Sequence, residues 1–569
     1  EMSASLVGSE MCIRDRVNGV MSFAEMENMM YKKAILLAYT LACFSFLAIA
    51  CSDSEVDETG KEPILPQIEV SKVATENGKT YLEVDGKPFP LLGAQIRLDA
   101  LLNCDKMSIN EVENYFKKAQ ELGVNCVQIP ISWNMIEAKE EKYDFNIVNS
   151  ILQFANKYDL KIELLWFSTN MVGDSFTYLT PQYVLQNYHK RFGRNDEGSF
   201  WNYYGYQYTM ILDDSWVLER ETKAITALFN HIRYWDSQNG DKHPVITAQI
   251  HNEPDALMRW RIEQKDLKYR DGTPLSKEKA WNMTTNALNA VGNAVKNSSY
   301  KVATRVNLIY GDGINPFPEA NNACPKDVFD LQGIDFIGVD AYKDNIKQLK
   351  EQVSSYASIN GNYALVAENK GSYSNTPSLI LTALALGGGY DIYDLATSNF
   401  FINNTSEPDQ IDHGIYTWDL QEKDFTNPTR MIIKGLTDAN VDVATVKPEN
   451  FAAFNISDNH PIAVKQQQIR TTNVEITFST NNASLAFALD KGSYLLVYST
   501  GDSEFHFGNG TFEKVIYGKY NDKGTFVEEG NTVLNNQTLY AKGGVLYKVT
   551  YSSQQPLISN TIENIGNNL

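Results

Sequence analysis

Two glutamates have the type and the setting for acid–base work on a substrate. Glu253 lies in His251-Asn252-Glu253-Pro254, directly after the apolar run Pro244-Val245-Ile246-Thr247-Ala248-Gln249-Ile250. Glu368 follows Tyr363-Ala364-Leu365-Val366-Ala367 in the same way. Each run has the length and branched apolar content of a buried strand, so each carboxylate is expected where a strand ends. Two carboxyls gathered from distant strand ends suit hydrolysis of a glycosidic bond. One protonates the leaving oxygen while the other attacks the anomeric carbon or activates water. The chain has no zinc-ligand spacing, P-loop or Ser-His-Asp order, and Asp312-Gly313 is too short a motif for calcium. Neither a metal nor a cofactor is expected.

The elements that must bring these glutamates together are legible as an alternation. Strand-like segments fall at residues 90–96, 124–130, 161–166, 244–250, 302–308, 334–339, 363–367 and 389–393. Helix-like segments at 109–122, 146–158, 219–234 and 281–295 carry capping residues or apolar residues at three-to-four spacing. This predicts an α/β fold, a (β/α)8 barrel with insertions over residues 64–446. An open doubly wound sheet would alternate similarly, but no glycine-rich fingerprint follows the first strand. Residues 81–89 alternate into Asp85-Gly86, a hairpin signal at the entrance to the barrel. From 447 to 569 the helical period disappears. Val474-Glu475-Ile476-Thr477-Phe478, Tyr494-Leu495-Leu496-Val497-Tyr498 and Val545-Leu546-Tyr547-Lys548-Val549 alternate between Gly, Asn and Asp turns, which predicts a C-terminal all-β sandwich.

Composition narrows the partner. A net charge of −20 over 569 residues offers no basic stripe for nucleic acid. The 31 tyrosines and 26 phenylalanines suit stacking against a neutral oligosaccharide or polysaccharide. Oligomeric state is not legible.

Residues 30–50 read as a secretory signal: a Lys32-Lys33 start, an apolar run, and small residues before Cys51. Ala48-Ile49-Ala50-Cys51 resembles the lipobox of bacterial lipoproteins, in which the cysteine is lipidated. Residues 51–63 are then an acidic tether, and lipid is the expected membrane contact. The acidic Ser52-Asp53-Ser54-Glu55 resembles a Gram-negative surface-export signal, so the expected location is the outer membrane, facing outward or into the periplasm. Residues 1–29 read as an artefactual upstream extension and are excluded from fold reasoning. Setting aside Cys12, Cys43 and Cys51 leaves Cys104, Cys126 and Cys324, an odd number that implies no disulfide framework.

Several stretches resemble the retaining glycoside hydrolases of clan A, especially the β-galactosidase-like families 35 and 42. Val127-Gln128-Ile129-Pro130-Ile131-Ser132-Trp133-Asn134-Met135-Ile136-Glu137, followed by Lys142-Tyr143-Asp144-Phe145, is similar to their second-strand signature. Leu164-Leu165-Trp166-Phe167 resembles the third strand, Gln249-Ile250-His251-Asn252-Glu253 the fourth and Ala367-Glu368-Asn369 the seventh. The likeness runs in order over residues 80–440. It implies Glu253 as acid/base and Glu368 as nucleophile, carboxyls about 5–5.5 Å apart in a retaining enzyme. Pro254 departs from it, because Asn-Glu-Pro is commoner in family 5-like glucanases and mannanases.

The resemblance also implies a hydrogen bond from Asn252 to the sugar 2-OH and an orienting role toward the nucleophile for Tyr342, in Gly338-Val339-Asp340-Ala341-Tyr342. Arg97 is either a partner of Glu368 or a surface salt-bridge residue. Trp133 and Trp166 are either the floor of the first subsite or core. Glu137 either binds a hydroxyl or caps a helix. His251 is expected to pack inward, opposite Asn252. Residues 168–216 hold Phe200, Trp201, Tyr203, Tyr204, Tyr206 and Tyr208, read as a lid or stacking wall, with a buried aromatic patch as the alternative. The sequence therefore predicts a retaining β-glycosidase, β-galactosidase-like first and family 5-like β-glucanase or β-mannanase second. A glycan-binding protein on a retired enzyme scaffold is the alternative from another class.

Overall fold

The computed structural model describes residues 62–168, 179–187, 214–255, 276–309, 325–456, 465–521 and 524–553. The signal segment, Cys51, Trp201 and its aromatic neighbours, Cys324 and Asp312 lie outside these residues. Eight strands form a closed parallel barrel: β1 Leu92–Gln95, β2 Cys126–Ser132, β3 Lys161–Phe167, β4 Val245–Ile250, β5 Ala303–Leu308, β6 Phe336–Asp340, β7 Leu365–Lys370 and β8 Gly389–Tyr393. Each pairs with the next in chain order, and β8 returns to β1. A helix follows each strand: α1 Ile109–Leu122, α2 Asn146–Tyr158, α3 Ser215–Gln238, α4 Lys277–Lys296, α5 Pro325–Phe329, α6 Ile346–Ala357, α7 Thr376–Ala385 and α8 Thr426–Ala439. The fold is a (β/α)8 barrel.

Local chemistry explains where the helices begin. Ser108 opens α1 in a capping box with Glu111, whose carboxylate accepts the Ser108 N–H at 2.7 Å. α3 starts ahead of the apolar pattern at 219–234 because the Asp214 carboxylate accepts the N–H groups of Trp216 and Val217, each at 3.1 Å. Ser276 does the same for α4 through Lys279 N–H at 3.1 Å.

Beyond the barrel, ten strands form two antiparallel sheets: β9 Phe451–Ile456, β10 Gln466–Arg470, β11 Glu475–Ser479, β12 Ser484–Asp490, β13 Tyr494–Ser499, β14 Ser503–Gly508, β15 Gly510–Tyr520, β16 Phe526–Thr532, β17 Thr538–Ala541 and β18 Tyr547–Ser553. One sheet runs β9-β12-β13-β18-β15-β16 and the other β10-β11-β14-β17. Their facing sides bury Phe454, Ile476, Phe478, Val497, Phe505 and Val549. Phe478 lies 5.3 Å from Phe454 and 5.0 Å from Phe505 between ring centroids. The two layers make a β-sandwich.

The sandwich braces the barrel rather than hanging from it. Phe451, Phe487, Leu496 and Tyr498 join the same core as Ile432, Ile433 and Leu436 of α8. Tyr498 donates to Met431 O at 2.6 Å, and Gly435 lies flat on its ring, where a Cβ would come within 2.5 Å of ring carbons. α7 is buried on every side, because the sandwich covers the face that would otherwise meet water. No helix among the described residues is long and apolar enough to cross a membrane.

The interior of the barrel is unusually polar. Barrels of this type are commonly filled by branched apolar side chains. Here Gln95, Gln128, Glu163, Thr247, Gln249, Arg305 and Asp391 are all buried. Arg305 donates to Glu163 at 3.0 Å and to Gln249 at 2.5 Å. Gln128 donates to Asp391 at 2.8 Å and accepts from Gln95 at 3.0 Å. Burial, then the Glu163 charge, pushes the Asp391 carboxyl well up, so Asp391 holds its proton. Gly93 is required beside it, since a Cβ there would sit 1.9 Å from Asp391 Oδ1.

Candidate active site

At the carboxyl ends of the strands, the chain from β4 turns sharply. His251 and Glu253 both take left-handed backbone, with φ of 61° and 43°. Such conformations cost energy for residues other than glycine and persist where neighbours over-determine them. The neighbours are visible. Gln249 Nε2 donates to His251 O at 2.9 Å and to Asn252 Oδ1 at 3.0 Å. Asn307 from β5 accepts the Glu253 N–H at 3.0 Å and donates to Asn252 Oδ1 at 2.8 Å. With two donors on its oxygen, Asn252 is oriented by its carbonyl, which makes its amide N–H₂ the end that can donate elsewhere.

The turn places Glu253 against Glu368 and a third carboxylate, Asp340 of β6. One oxygen from each of the three lies within 4.8 Å of the others, and all three residues are buried. Burial raises Glu253 well above the usual carboxylate range, and the charges of Glu368 and Asp255 add to it. Burial raises Glu368 too, but the Tyr342 hydroxyl, Arg97, Gln95 and Arg305 all oppose the rise. Gln95 Nε2 reaches Glu368 at 3.4 Å, and Tyr342 donates to Glu368 Oε2 through a short hydrogen bond. The surroundings therefore favour a proton on Glu253 and a charge on Glu368.

Tyr342 is held for that contact. It adopts φ of 44°, and the side-chain amide of Asn369 clasps the next residue, accepting Lys343 N–H and donating to Lys343 O, both at 3.0 Å. Arg97 forms a two-pronged pair with Asp99 at 2.8 and 2.9 Å and donates to Tyr393 OH at 3.1 Å. It acts on Glu368 through charge.

The remaining expected site residues sit below or beside this group. Trp133 and Trp166 are fully buried, and their indole N–H groups bind Glu137 at 2.7 Å and Glu221 at 3.0 Å. Both are packed in the core with the indole N–H turned to a buried glutamate. Glu137 is buried and also accepts Glu141 N–H at 2.7 Å, so both its oxygens stabilise the turn after β2. His251 packs inward, with Nε2 on Glu221 at 2.8 Å. Burial would raise Glu221, but His251, Ser168 and Trp166 outweigh it and hold the carboxylate below its usual range.

Asp340, Asn307, Asn369 and the Arg305–Glu163 layer were not anticipated. Their signal lies in polar residues at two-residue spacing inside otherwise apolar strands, such as Thr247 and Gln249, or Arg305 and Asn307. In a parallel strand such residues face the barrel interior together.

Residues 102–267 match the family model described as beta-galactosidase. That stretch contains Glu253; Glu368 falls in residues 283–461, which match a domain model of unknown function, and residues 30–100 match a second, different one. No curated protein matches the chain. Among solved structures it is similar to the endo-1,4-beta-mannanase from Rhizomucor miehei, at 15% identity and a TM-score of 0.42, over 64% of this chain and 100% of that one. It is also similar to the beta-galactosidase from the psychrophilic Marinomonas ef1, at 11% identity and TM-score 0.46, over 63% and 62%. The beta-galactosidase from the Antarctic haloarchaeon Halorubrum lacusprofundi gives 11% and 0.44, over 61% and 58%. The chain thus spans 62% and 58% of the two beta-galactosidases.

Proposed function

We propose that the chain is a retaining β-glycosidase, β-galactosidase-like in substrate, that works by double displacement. The observation carrying this reading is the approach of buried Glu253 and Glu368 to within 4.8 Å. One oxygen of each carboxyl within that bound is compatible with the about 5–5.5 Å between the carboxyls of a nucleophile and acid/base pair. Glu368, charged and aimed by Tyr342, attacks the anomeric carbon while Glu253 protonates the departing oxygen. Glu253, now a carboxylate, then takes a proton from water as that water displaces Glu368. Asn252 donates its amide to the sugar 2-OH, a contact that strengthens in the transition state. Arg97 supports the Glu368 charge.

Aryl β-glycosides of galacto, gluco and manno configuration provide the test. The wild type should release aglycone, with the galactoside fastest. Fastest release from the gluco or manno substrate would instead favour the family 5-like reading that Pro254 raises. Glu368→Ala should lose turnover and, with azide, yield the α-glycosyl azide, whereas Glu253→Ala with azide should yield the β-anomer. Full activity in either variant contradicts the assignment. Retained oligosaccharide binding without any turnover would point to the binding-protein reading.

Residues 30–51 support a further part of the reading, a lipoprotein anchored through Cys51 at the outer membrane. Metabolic labelling with an alkyne fatty acid, lost in Cys51→Ala, tests it.

A further inference from the structure

Double displacement leaves Asp340 without a task, although it is the most buried carboxylate of the three at 1% exposure. It ends β6 and pairs in register with Glu368 of β7. Asn307 donates to Asp340 Oδ2 at 2.8 Å, while Oδ1 has no partner among the described residues. The same Asn307 accepts the Glu253 N–H at 3.0 Å, so one side chain fixes both the Asp340 carboxyl and the Glu253 backbone. Three buried carboxyls within 4.8 Å cannot all be ionised. The charges facing them are Arg97 after β1, Arg305 of β5 and Asp255 beyond Glu253. Tyr342 and Gln95 donate to Glu368. Glu368 is therefore the member that ionises first, and the proton remains between the other two.

We propose that Asp340 is a positioning residue that shares one proton with Glu253 through its free Oδ1, keeping the acid loaded while Glu368 is ionised. The inference rests on the proposed roles of Glu253 and Glu368. Its charge balance is favourable. Before attack the three carboxyls carry one proton and two negative charges. When Glu368 becomes an ester it loses its charge, and the shared proton passes through Glu253 to the leaving oxygen. Glu253 and Asp340 then hold the two charges. Attack by water frees Glu368 as a carboxylate and returns one proton to the pair. The buried site thus carries the same charge at every stage. Burial, then the Glu368 charge, also pushes Asp340 well up, and burial and Glu368 do the same to Glu253.

The direct test is carbon-13 NMR of protein labelled at the glutamate carboxyls, with the Glu253 signal assigned by its absence in Glu253→Gln. In the wild type Glu253 should titrate in two steps, as coupled carboxyls do. Asp340→Asn keeps an acceptor for Asn307 and removes the second acid. Glu253 should then titrate in one step, with its midpoint moved by about one unit or more. The alkaline limb of kcat/KM should move with it. Asp340→Ser should give the same shift, and thermal melts establish that both variants fold. A single-step wild-type titration, or a Glu253 midpoint unmoved in folded variants, overturns the proposal. If the midpoint shifts but no aryl glycoside is cleaved, proton sharing stands and the glycosidase reading falls. If turnover depends on Glu253 and Glu368 but the midpoint stays put, the reverse holds.

Discussion

Removing the Tyr342 hydroxyl should expose how Glu368 is kept ionised. Tyr342→Phe preserves the ring, which meets Tyr393 edge-on at 5.9 Å, and deletes only the donor to Glu368 Oε2. A hydrogen bond to a charged group contributes about 1.5–3 kcal/mol. Burial of Glu368 places this bond toward the upper part of that range. At 1.36 kcal/mol per unit, its loss raises the Glu368 carboxyl by about 1–2 units. The sign follows directly: a nucleophile that must be ionised is lost to protonation at a higher pH, so the acid limb of kcat/KM moves up. On the acid limb, below both midpoints, activity should fall about 10- to 100-fold. The assay is kcat/KM for an aryl β-galactoside from pH 4 to 9, alongside Tyr393→Phe, which removes the hydroxyl that accepts from Arg97 and leaves the Tyr342 donor to Glu368 in place. An acid limb that stays in place, or moves as far in Tyr393→Phe, would exclude the Tyr342 hydroxyl as the group that keeps Glu368 ionised.

Three further outcomes follow from the packing. Arg305→Met strands buried Glu163 without its cation and should cost about 3–5 kcal/mol in urea unfolding, much of it recovered by adding Glu163→Gln. Gly435→Ala drives a Cβ into the Tyr498 ring and should lower stability by about 1–3 kcal/mol, read from the same transition. Burial, then Lys370, depresses the folded-state pKa of His413 from 6.5 to about 3. The unfolded chain therefore takes up a proton that the folded chain refuses. Stability from this group is complete above about pH 6.5 and is lost as pH falls toward 3. His413→Gln should lose less stability between pH 7 and 4.5 than the wild type does.

The barrel was legible because its strands are short apolar runs with capped amphipathic helices between them. The pattern at 109–122 and 146–158 reproduces α1 and α2 residue for residue. α7 was invisible for the opposite reason. Leu379-Ile380-Leu381 and its neighbours are buried all round, so no polar face marks a helical period. The two glutamates were legible from their position after strands, since a strand end in a barrel is a fixed place in space. What could not be read, beyond the Tyr342 contact that the resemblance implied, was which other side chains surround them. Asp340, on an adjacent strand, and Asn307, which clamps it, are separated from Glu253 by many residues and joined only by barrel closure. For Trp133 and Trp166 the sequence left subsite floor and core open, because an indole at a strand end reads the same whether its N–H meets a sugar or a buried glutamate.

Glu368 should form a covalent bond with the sugar, and trapping that bond is the decisive experiment. The protein should be treated with 2-deoxy-2-fluoroglycosyl fluorides of galacto, gluco and manno configuration, digested, and mapped by tandem mass spectrometry. One fluorosugar per chain is expected, carried on Glu368 and absent in Glu368→Gln. An adduct on Glu253, Asp340 or any other residue would contradict it. So would no adduct from any of the three reagents in a preparation that hydrolyses aryl β-glycosides.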